Sequence, residues 1–475
     1  MASQPTADAP ARGQAEAGSD PALMVLVLAC ACQFMVILDA SIVNVALPSI
    51  DRDLGFGPAG LAWVVNGYLL TFAGLMLLGG RAADLFGPRL MLAGGLFLFS
   101  AASLAGGLAT APAVLVSARV VQGVGAAMLA PATLAVVNTG FPEGPARARA
   151  FGAWSAAGGV GGMAGAVAGG ALTSGLSWRW VFLVNVPVGA VLIAVALRAL
   201  SGAPAKGRAS LDLAGALTGT GGLAALIYGV MRSTDHGWAS LPVAGPVAAG
   251  LLLLAAFTTV EARAAQPLLP LRLFGIRGVA VGNVMLLLFG GIAIAMWYFS
   301  SLFLQDVLGY GALRAGLGQT PAAVAFLAVA RGTAALLPRT GVRPLVLGGC
   351  GCFVAGFGWL AQADGGSGYL TGVLGPTLLV AAGIGLAFPT LIAAATAGVP
   401  EGDTGIIGGV ANTASQLGGS LGLAALATAA GARTARHAHG SPADALAAGY
   451  DLVFLIAAGL ALAIAAAALL LPRPE

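Results

Sequence analysis

The amino-acid sequence predicts an all-α protein that crosses a membrane fourteen times. Its composition indicates this, because 58% of the residues are hydrophobic and only 8% are charged, whereas about 25% are charged in an ordinary soluble domain. Apolar runs also recur along the whole chain. A hydrocarbon core about 30 Å thick needs about 20 mostly apolar residues per helix, so these runs are long enough to span it.

Fourteen such runs are separated by charged residues, Pro or Gly. Six precede a polar link that contains Lys206 and Arg208: 23–46, 60–80, 90–109, 112–138, 148–172 and 179–200. Eight follow it: 213–231, 241–261, 279–301, 316–336, 342–362, 370–393, 406–428 and 449–471. An even number of spans places both termini on the same side of the membrane.

The basic residues indicate which side that is. With cytoplasmic termini, fifteen Lys and Arg residues fall on the cytoplasmic side and six on the opposite side, and Arg119 lies within a span, which accounts for all 22. Lys and Arg accumulate in cytoplasmic loops. The abundance of Ala, Gly and Arg with a single Lys is typical of a GC-rich bacterium. We therefore expect a multi-pass protein of a bacterial inner membrane with both termini in the cytoplasm.

The segments between the spans exclude several classes of function. Residues 1–22 are expected to be a disordered cytoplasmic tail, and every other link is shorter than the 50 or so residues of a folded domain. The basic residues are too dispersed for a nucleic-acid-binding patch. No metal-ligand spacing or phosphate-binding loop is found, so neither an enzyme nor a cofactor is expected. Four residues are expected in a solvated external loop, 429–448: Arg433, Arg436, His437 and His439.

Asp39 and Arg119 are the two ionisable residues whose position most needs an explanation. Asp39 lies in the first span and Arg119 in the fourth, where a charge costs about 2.5–3.5 kcal/mol on insertion scales. Withdrawal from water disfavours an ionised carboxylate, whereas a nearby guanidinium favours it. A carboxyl group balanced in this way can take up a proton on one side of the membrane and release it on the other. The alternatives are that Asp39 caps its span near the outer interface and that Arg119 has a purely structural role.

Residues 158–170 form a stretch of small residues in the fifth span. Gly161, Gly165 and Gly169 repeat at intervals of four, as do Gly158 and Gly162, so each set shares one face of a helix. Such a face allows a second helix to approach closely. We expect a packing surface or hinge here, although the glycine content of the chain is high enough for a chance run.

Several segments resemble motifs of the major facilitator superfamily, and in particular of its fourteen-span drug:proton antiporter group. Residues 38–48 resemble the first-helix motif of that group, with Ser41 where Thr is usual. Residues 177–189 resemble the start of its sixth helix, which is the most specific match. In the fourth span, the motif residues are all present: Arg119, Gln122, Gly123 and Gly125.

Two further motifs match with departures. The loop after the second span resembles the superfamily's gating loop at Gly80, Asp84, Gly87 and Arg89, whereas Leu85 and Pro88 stand where basic residues are common. The fifth span resembles the antiporter motif in its glycines, Gly161, Gly165, Gly169 and Gly170. Ala166 replaces the usual Pro of that motif, which reduces the expected kink and weakens the case for antiport.

The resemblance implies the major facilitator fold, with two six-helix bundles at 23–200 and 263–475 and two additional central helices in the linker 201–262. It implies alternating access about a central site, with proton coupling through Asp39 and Arg119. Polar and aromatic residues of the inward-facing spans are candidates for the substrate cavity, or else contacts between helices: Gln33, Asn66, Tyr68, Gln122, Trp154, Asn283, Trp297, Tyr298, Gln319, Asn412 and Gln416.

The function predicted from these features is the export of lipophilic drugs or antibiotic-like metabolites, driven by the proton gradient. The expected partners are a small lipophilic substrate, protons and the lipid bilayer, with no nucleic acid, and the protein is expected to act as a monomer. Two alternatives remain. The protein could export another small metabolite, or facilitate its passage, without proton antiport, or it could be a non-transporting membrane sensor or an intramembrane enzyme.

Overall fold

The structure is a computed structural model, and it describes residues 19–142, 145–200, 212–233, 236–264, 267–269, 271–399, 404–437 and 441–471. Fourteen long helices cross the molecule, each overlapping one predicted span, and no described residue lies in a strand. The first half contains α1 Ser19–Leu54, α2 Gly57–Phe86, α3 Pro88–Gly107, α4 Pro112–Gly140, α5 Pro145–Gly175 and α6 Trp180–Ala199. The additional pair is α7 Leu213–Arg232 and α8 Leu241–Arg263. The second half contains α9 Arg277–Val307, α10 Ala312–Thr340, α11 Val342–Leu360, α12 Tyr369–Thr396, α13 Thr404–Arg436 and α14 Pro442–Ala468.

Twelve of these helices are long and apolar enough to cross a membrane, as judged over the described residues. The other two are α5 and α13, which are rich in Gly, Ala and Ser. Both pack against other helices on two sides, since α5 packs between α1 and α10 and α13 packs between α2 and α9. Small residues allow such close packing of helices, so the lower hydropathy of α5 and α13 agrees with their position.

The two six-helix sets each pack internally and meet along two seams. In the first set α1 packs on α5, α2 on α4, and α3 on α4 and α6. In the second, α9 packs on α13, and α12 lies against α10 and α11. The seams between the sets are α2 with α13 and α5 with α10. The fourteen-helix fold predicted from the sequence is therefore confirmed.

The additional helices pack against each other, and α7 covers one seam. The Tyr228 ring of α7 lies 6.5 Å from the Trp63 ring of α2, and Thr428 of α13 donates a hydrogen bond to the Val230 carbonyl at 3.3 Å. Helix α7 thus contacts both halves of the molecule at the α2–α13 seam.

Several helix ends differ from those predicted. Helix α1 begins at Ser19, so residues 19–22 are helical rather than part of a disordered tail, and residues 1–18 lie outside the described part of the chain. Helix α13 continues to Arg436 and α14 begins at Pro442. The expected loop 429–448 is therefore much shorter. Arg433 and Arg436 are helical, while His439 is not among the described residues. These segments have too little apolar content for hydropathy to mark them as helical.

Prolines inside the helices free carbonyl groups that neighbouring helices then use. Pro48 has no N–H to donate to the Asn44 carbonyl, and that carbonyl instead accepts the Ser301 hydroxyl of α9 at 3.4 Å. In α12, Pro389 leaves the Gly385 carbonyl free, and the Thr333 hydroxyl of α10 donates to it at 3.0 Å. Backbone polar groups within a membrane must be satisfied inside the protein, and these hydroxyls satisfy them.

The repeated glycines of α5 lie against the backbone of α1. A Cβ at Gly161 would stand 2.8 Å from the Phe34 carbonyl oxygen, one at Gly165 would stand 2.8 Å from that of Leu38, and one at Gly169 would stand 2.6 Å from that of Ile42. The Ser41 hydroxyl donates to the Gly162 carbonyl at 2.7 Å across the same contact. Gly170 faces the opposite way, toward the Ala312 carbonyl of α10. Helix α5 therefore uses small residues on two faces, one for each half of the molecule.

We expect Gly165→Leu to destabilise the protein, because its side chain would meet the α1 backbone and overpacking typically costs about 1–3 kcal/mol. Gly152→Leu in the same helix is the matched control, since nothing lies within 4 Å of a Cβ at that position. Thermal unfolding of the purified proteins in detergent measures the difference. Equal melting temperatures for the two variants would contradict the packing described here.

Candidate functional site

A buried ion pair joins α1 to α4. Arg119 Nη1 lies 2.6 Å from Asp39 Oδ2, and the two side chains are 1% and 0% exposed. Both residues were predicted from the sequence as charges that require a functional explanation, and the structure places them in direct contact. Because a buried charge is costly unless it is paired and hydrogen-bonded, the remaining polar atoms of the pair need partners of their own.

Gln122 and Asn185 bond the pair directly, and Ser103 bonds Gln122 in turn. Asp39 Oδ1 accepts hydrogen bonds from Gln122 Nε2 and Asn185 Nδ2, both at 2.8 Å. Gln122 Oε1 accepts from Arg119 Nη1 at 2.7 Å, and Gln122 Nε2 also donates to Ser103 Oγ at 2.7 Å. The pair is thus the centre of a hydrogen-bonded network, defined here as Asp39, Ser103, Arg119, Gln122 and Asn185, which draws on α1, α3, α4 and α6.

The guanidinium of Arg119 is fixed from the side of α2. Its Nε donates to the Val64 carbonyl at 2.9 Å, and its central carbon lies 4.2 Å from the centre of the Tyr68 ring. An aromatic face attracts a cation electrostatically. Tyr68 was predicted to line the substrate cavity. In this structure it is 1% exposed, and its ring packs against Arg119 of the ion-pair network.

The glycines of the fourth-span motif determine how closely its neighbours approach. A Cβ at Gly123 would contact the Thr71 side chain and stand 2.5 Å from the Tyr68 carbonyl oxygen of α2. One at Gly125 would stand 2.8 Å from the Phe99 nitrogen of α3. These close contacts on either side of α4 hold Arg119 and Gln122 near α1, which explains why the motif combines charged, amide and glycine residues.

The hydrogen-bond pattern of helix α6 changes just before Asn185. Pro187 cannot donate a hydrogen bond to the Leu183 carbonyl, and the chain forms a turn at Val184 between two helical segments, Trp180–Leu183 and Asn185–Ala199. Asn185 therefore begins a new helical segment and points its amide at Asp39. Asn185 belongs to the sixth-helix motif but was not predicted as a site residue from the sequence, and neither was Ser103.

The rest of the sixth-helix motif forms a separate cluster at the end of the molecule that contains Gly55. Arg179 Nη1 lies 2.7 Å from Asp53 Oδ2, and Trp178 Nε1 donates to the same oxygen at 2.9 Å. Arg179 Nη2 also donates to the Ala109 carbonyl at 3.2 Å. Because Asp53 and Arg179 are 46% and 33% exposed, solvent screens this pair and its contribution to stability is small. Its effect is to align the ends of α1, α3 and α6.

The predicted gating loop uses its arginines to bind backbone carbonyls. Arg89 Nη2 donates to the Leu197 carbonyl near the end of α6 at 2.8 Å, and Arg81 Nη2 donates to the Pro267 carbonyl of the link after α8 at 3.3 Å. Gly87 has a φ of 84°, which favours glycine. Gly80 and Asp84 lie in the last turns of α2. The structure describes the backbone of Asp84 but not its side chain, so the predicted role of that carboxylate stays a prediction.

The predicted cavity residues lie in different environments. Four are hydrogen-bonded to other helices: Asn66 with Ser420 at 3.0 Å and Met231 at 3.7 Å, Gln122 within the network, Trp154 with Thr133 at 3.2 Å, and Asn412 with Met76 at 3.7 Å. Tyr298 and Gln319 are buried, and among the described residues Gln319 Nε2 has no hydrogen-bond partner. Asn283 is also buried and bonds the Val279 carbonyl at 2.8 Å. Three are only partly buried: Gln33, Trp297 and Gln416. Their role in binding a substrate stays a prediction.

Helix α9 is irregular beside these residues. It contains two wide, π-type turns, at Ala295–Phe299 and Phe303–Val307, and the first includes Trp297 and Tyr298. Such turns occur often at functional sites. An apolar groove of about 490 Å³ lies elsewhere, between α2, α3 and α4, and none of the predicted cavity residues lines it.

The two halves touch at the Gly55 end. Gln305 of α9 donates to the Val45 carbonyl of α1 at 3.2 Å, beside the contact of Ser301 with Asn44. The Leu313 N–H of α10 donates to Ser174 Oγ of α5 at 3.2 Å. These bonds join α1 and α5 of the first half to α9 and α10 of the second.

Two bundles that meet at seams, with a buried ion-pair network in one of them, define a class of membrane transporter, and the sequence comparisons identify its family. Residues 29–423 match the profile of the Major Facilitator Superfamily. The chain is 46% identical over 470 residues to the cephamycin export protein CmcT of Amycolatopsis lactamdurans, covering 97% of this chain and 96% of that protein. It is 40% identical to the puromycin resistance protein pur8 of Streptomyces alboniger, covering 97% and 94%. The chain belongs to the Major Facilitator Superfamily.

Solved structures agree with this fold. An auto-inhibited peptide transporter of the POT family superposes with a TM-score of 0.70 at 16% identity, covering 96% of this chain and 98% of that one. The xylose transporter XylE of E. coli gives a TM-score of 0.60 at 13% identity, covering 92% and 98%. At these identities the likeness concerns the fold alone.

We expect Asp39 and Asn185 to be energetically coupled, because the Asn185 amide bonds the Asp39 carboxylate directly. A double-mutant cycle with Asp39→Asn and Asn185→Ala, followed by unfolding in mixed micelles, should give an interaction energy of at least about 1 kcal/mol. In the control cycle Asn283→Ala replaces Asn185→Ala. Asn283 lies in the other half and bonds its own helix, so the control should be additive within about 0.5 kcal/mol. Equal interaction energies in the two cycles would refute the assignment.

Proposed function

We propose that this protein exports an antibiotic-like metabolite from a bacterial cell by alternating access, driven by protons that bind Asp39. The observation that carries the export proposal is the similarity to CmcT over nearly the whole length of both chains. Relatives named for puromycin, tetracenomycin C and lincomycin resistance support the same substrate class. The proposed location is the inner membrane, with the Gly55 end outside and both termini in the cytoplasm.

The buried ion-pair network supports the choice of Asp39 as the coupling group. In its ionised form, Asp39 accepts three hydrogen bonds from Arg119, Gln122 and Asn185. Protonation neutralises the carboxylate and removes its attraction for Arg119. An unpaired buried guanidinium is unstable, so the helices must rearrange to give it new partners. Protonation therefore favours a second arrangement of α1 and α4, which is what coupling requires.

The contacts between the halves support the proposed movement. The hydrogen bonds at the Gly55 end join α1 and α5 to α9 and α10, and they are few and side-chain mediated. Opening toward this end requires that they break, while the glycine contacts within each half persist. In the proposed cycle, a substrate taken up from the Gly87 end leaves through the Gly55 end after these bonds open.

A second candidate is a facilitator of the same fold without proton antiport. The observation that favours it is Ala166, which stands where the antiporter motif has a Pro, so that α5 lacks the corresponding kink. A facilitator equilibrates its substrate across the membrane, whereas an antiporter concentrates it against a gradient. The same transport experiment separates the two.

We expect Asp39→Asn to abolish accumulation driven by a pH gradient but to retain exchange of labelled for unlabelled substrate, because exchange needs no net proton movement. The measurement uses purified protein in lipid vesicles with an imposed pH gradient and a cephamycin as the substrate. Asp364→Asn, at an exposed loop between α11 and α12, is the control and should accumulate substrate like the unmodified protein. Gradient-driven accumulation by Asp39→Asn at the unmodified rate would rule out coupling through Asp39. Exchange without accumulation in the unmodified protein would favour the facilitator.

We expect production of the protein in a susceptible bacterium to raise the inhibitory concentration of a cephamycin or of puromycin by several-fold. The matched control is the Arg119→Leu variant at equal membrane abundance, which leaves Asp39 without its cation and should give no protection. Growth assays across a panel of antibiotics identify the substrate. The proposal fails if neither these two compounds nor any other member of the panel is tolerated better with the protein than with the variant.

A further inference from the structure

Two carboxyl groups meet at one end of the α7–α8 pair, away from the ion-pair network. Asp212 directly precedes α7 and caps it, since its Oδ1 accepts the Gly215 N–H at 2.7 Å. Glu261 lies in the last turn of α8 and is only 3% exposed. This buried acid has no part in the transport cycle proposed above, so its presence requires a separate explanation.

Each of the two carboxyl groups has one oxygen that is bonded and one that is not. Glu261 Oε2 accepts the Leu269 N–H at 2.8 Å. Glu261 Oε1 and Asp212 Oδ2 are buried, and neither has a hydrogen-bond partner among the described residues. A Cβ at Gly215 would stand 2.5 Å from Asp212 Oδ2 and 2.6 Å from Glu261 Oε1. The two free oxygens thus flank the same point, where Gly215 leaves room for both.

Two ionised carboxylates in this arrangement would repel each other, because both are acceptors and neither can donate. A single proton removes the conflict, since it turns one group into a donor and creates a strong O–H···O⁻ hydrogen bond. A bound Mg²⁺ or Ca²⁺ would need several further ligands, such as water, around the two free oxygens. Both of these oxygens are buried, which favours a shared proton, because a proton needs no ligand beyond the two.

The helix ends indicate which group holds the proton. Asp212 lies at the N-terminus of α7, where the helix dipole and the Gly215 N–H stabilise a negative charge. Glu261 lies at the C-terminus of α8, where the dipole disfavours a negative charge, and it is almost completely buried. We propose that Glu261 is a neutral carboxylic acid that donates its proton to the Asp212 carboxylate, forming a proton-binding site separate from Asp39.

The neighbours of this site connect it to the gating loop. Arg263 of α8 lines a groove of about 340 Å³ beside Asp212, and the first turn of α7 and the segment 267–269 contain no charged side chain. Glu261 binds the Leu269 N–H of that segment, and Arg81 of α2 binds its Pro267 carbonyl. The proton therefore links α7 to α8, and Glu261 in turn links α8 to the segment that Arg81 attaches to α2. Loss of the proton would leave two ionised carboxylates facing each other between α7 and α8.

The test compares the unmodified protein with Glu261→Gln in thermal unfolding from about pH 5 to about pH 9. A group that binds its proton more tightly when folded loses its contribution to stability as the pH rises. The melting temperature of the unmodified protein should therefore fall relative to that of Glu261→Gln, whose amide can donate to Asp212 at every pH and whose carbonyl can still accept from Leu269. In an Asp212→Asn background, Glu261→Gln should alter the pH dependence less than in the unmodified protein, because Glu261 stays buried there but no longer faces a carboxylate.

Two outcomes of this experiment would overturn the proposal. The first is the same pH dependence with and without Glu261→Gln. The second is a Glu261→Gln variant that is less stable than the unmodified protein throughout the range, which would show that the site requires the negative charge, as a metal cation would. Neither result depends on substrate or on Asp39, so the proposed function is tested separately.

Infrared spectroscopy tests the proton directly, and its first measurement needs only the unmodified protein. The unmodified protein should show the carbonyl stretch of a buried, protonated carboxylic acid at neutral pH, and Asp212→Asn should shift its frequency, because the acceptor of the O–H group changes from a carboxylate to an amide. Absence of the band, or a band that Asp212→Asn leaves unchanged, would refute the shared proton.

Discussion

The ion pair between Asp39 and Arg119 is the constraint on which the first half of the molecule depends. Two charges withdrawn from water are tolerated only if every polar atom finds a partner, and satisfying them requires α3, α4 and α6 to lie within hydrogen-bonding distance of α1, with α2 closing the remaining side. The glycines that bring α4 close to α2 and α3 and the position of Asn185 in α6 both serve that requirement. The same completeness makes the network responsive, because adding one proton to Asp39 disturbs several helices together.

Close approach of backbones holds many of the helices of this protein together. A membrane offers no hydrophobic driving force between helices, so association relies on van der Waals packing and hydrogen bonds. The glycines of α5 place α1 and α10 in backbone contact on its two sides, and hydroxyl groups bind the carbonyls that prolines release. Ser301 illustrates how these features combine, since the carbonyl that Pro48 frees in one half becomes the acceptor for a side chain of the other.

The sequence allowed the fold and the centre of the site to be predicted, but not the partners of that centre. Fourteen helices follow from the stretches that contain few charged residues, two of which are rich in small residues rather than strongly apolar, and Asp39 and Arg119 were identifiable because charges are costly in a membrane. Asn185 and Ser103 are small polar residues that many spans contain, and only the packing of α6 and α3 places Asn185 against Asp39 and Ser103 against Gln122. The extension of α13 to Arg436 was missed because helices can continue beyond the hydrophobic stretch. Asp212 and Glu261 are 49 residues apart in the numbering, and only the antiparallel pairing of α7 with α8 brings them together.

The position of α7 has a consequence for the symmetry of the transporter. The two halves are built alike, and in a twelve-helix relative both seams between them would border lipid. Here α7 lies over the α2–α13 seam, whereas the α5–α10 seam has no such cover among the described helices. Two seams that are equivalent by internal repetition thus have unequal surroundings, one against protein and the other against the fluid bilayer. The composition of the lipid should consequently influence one side of the conformational change more than the other.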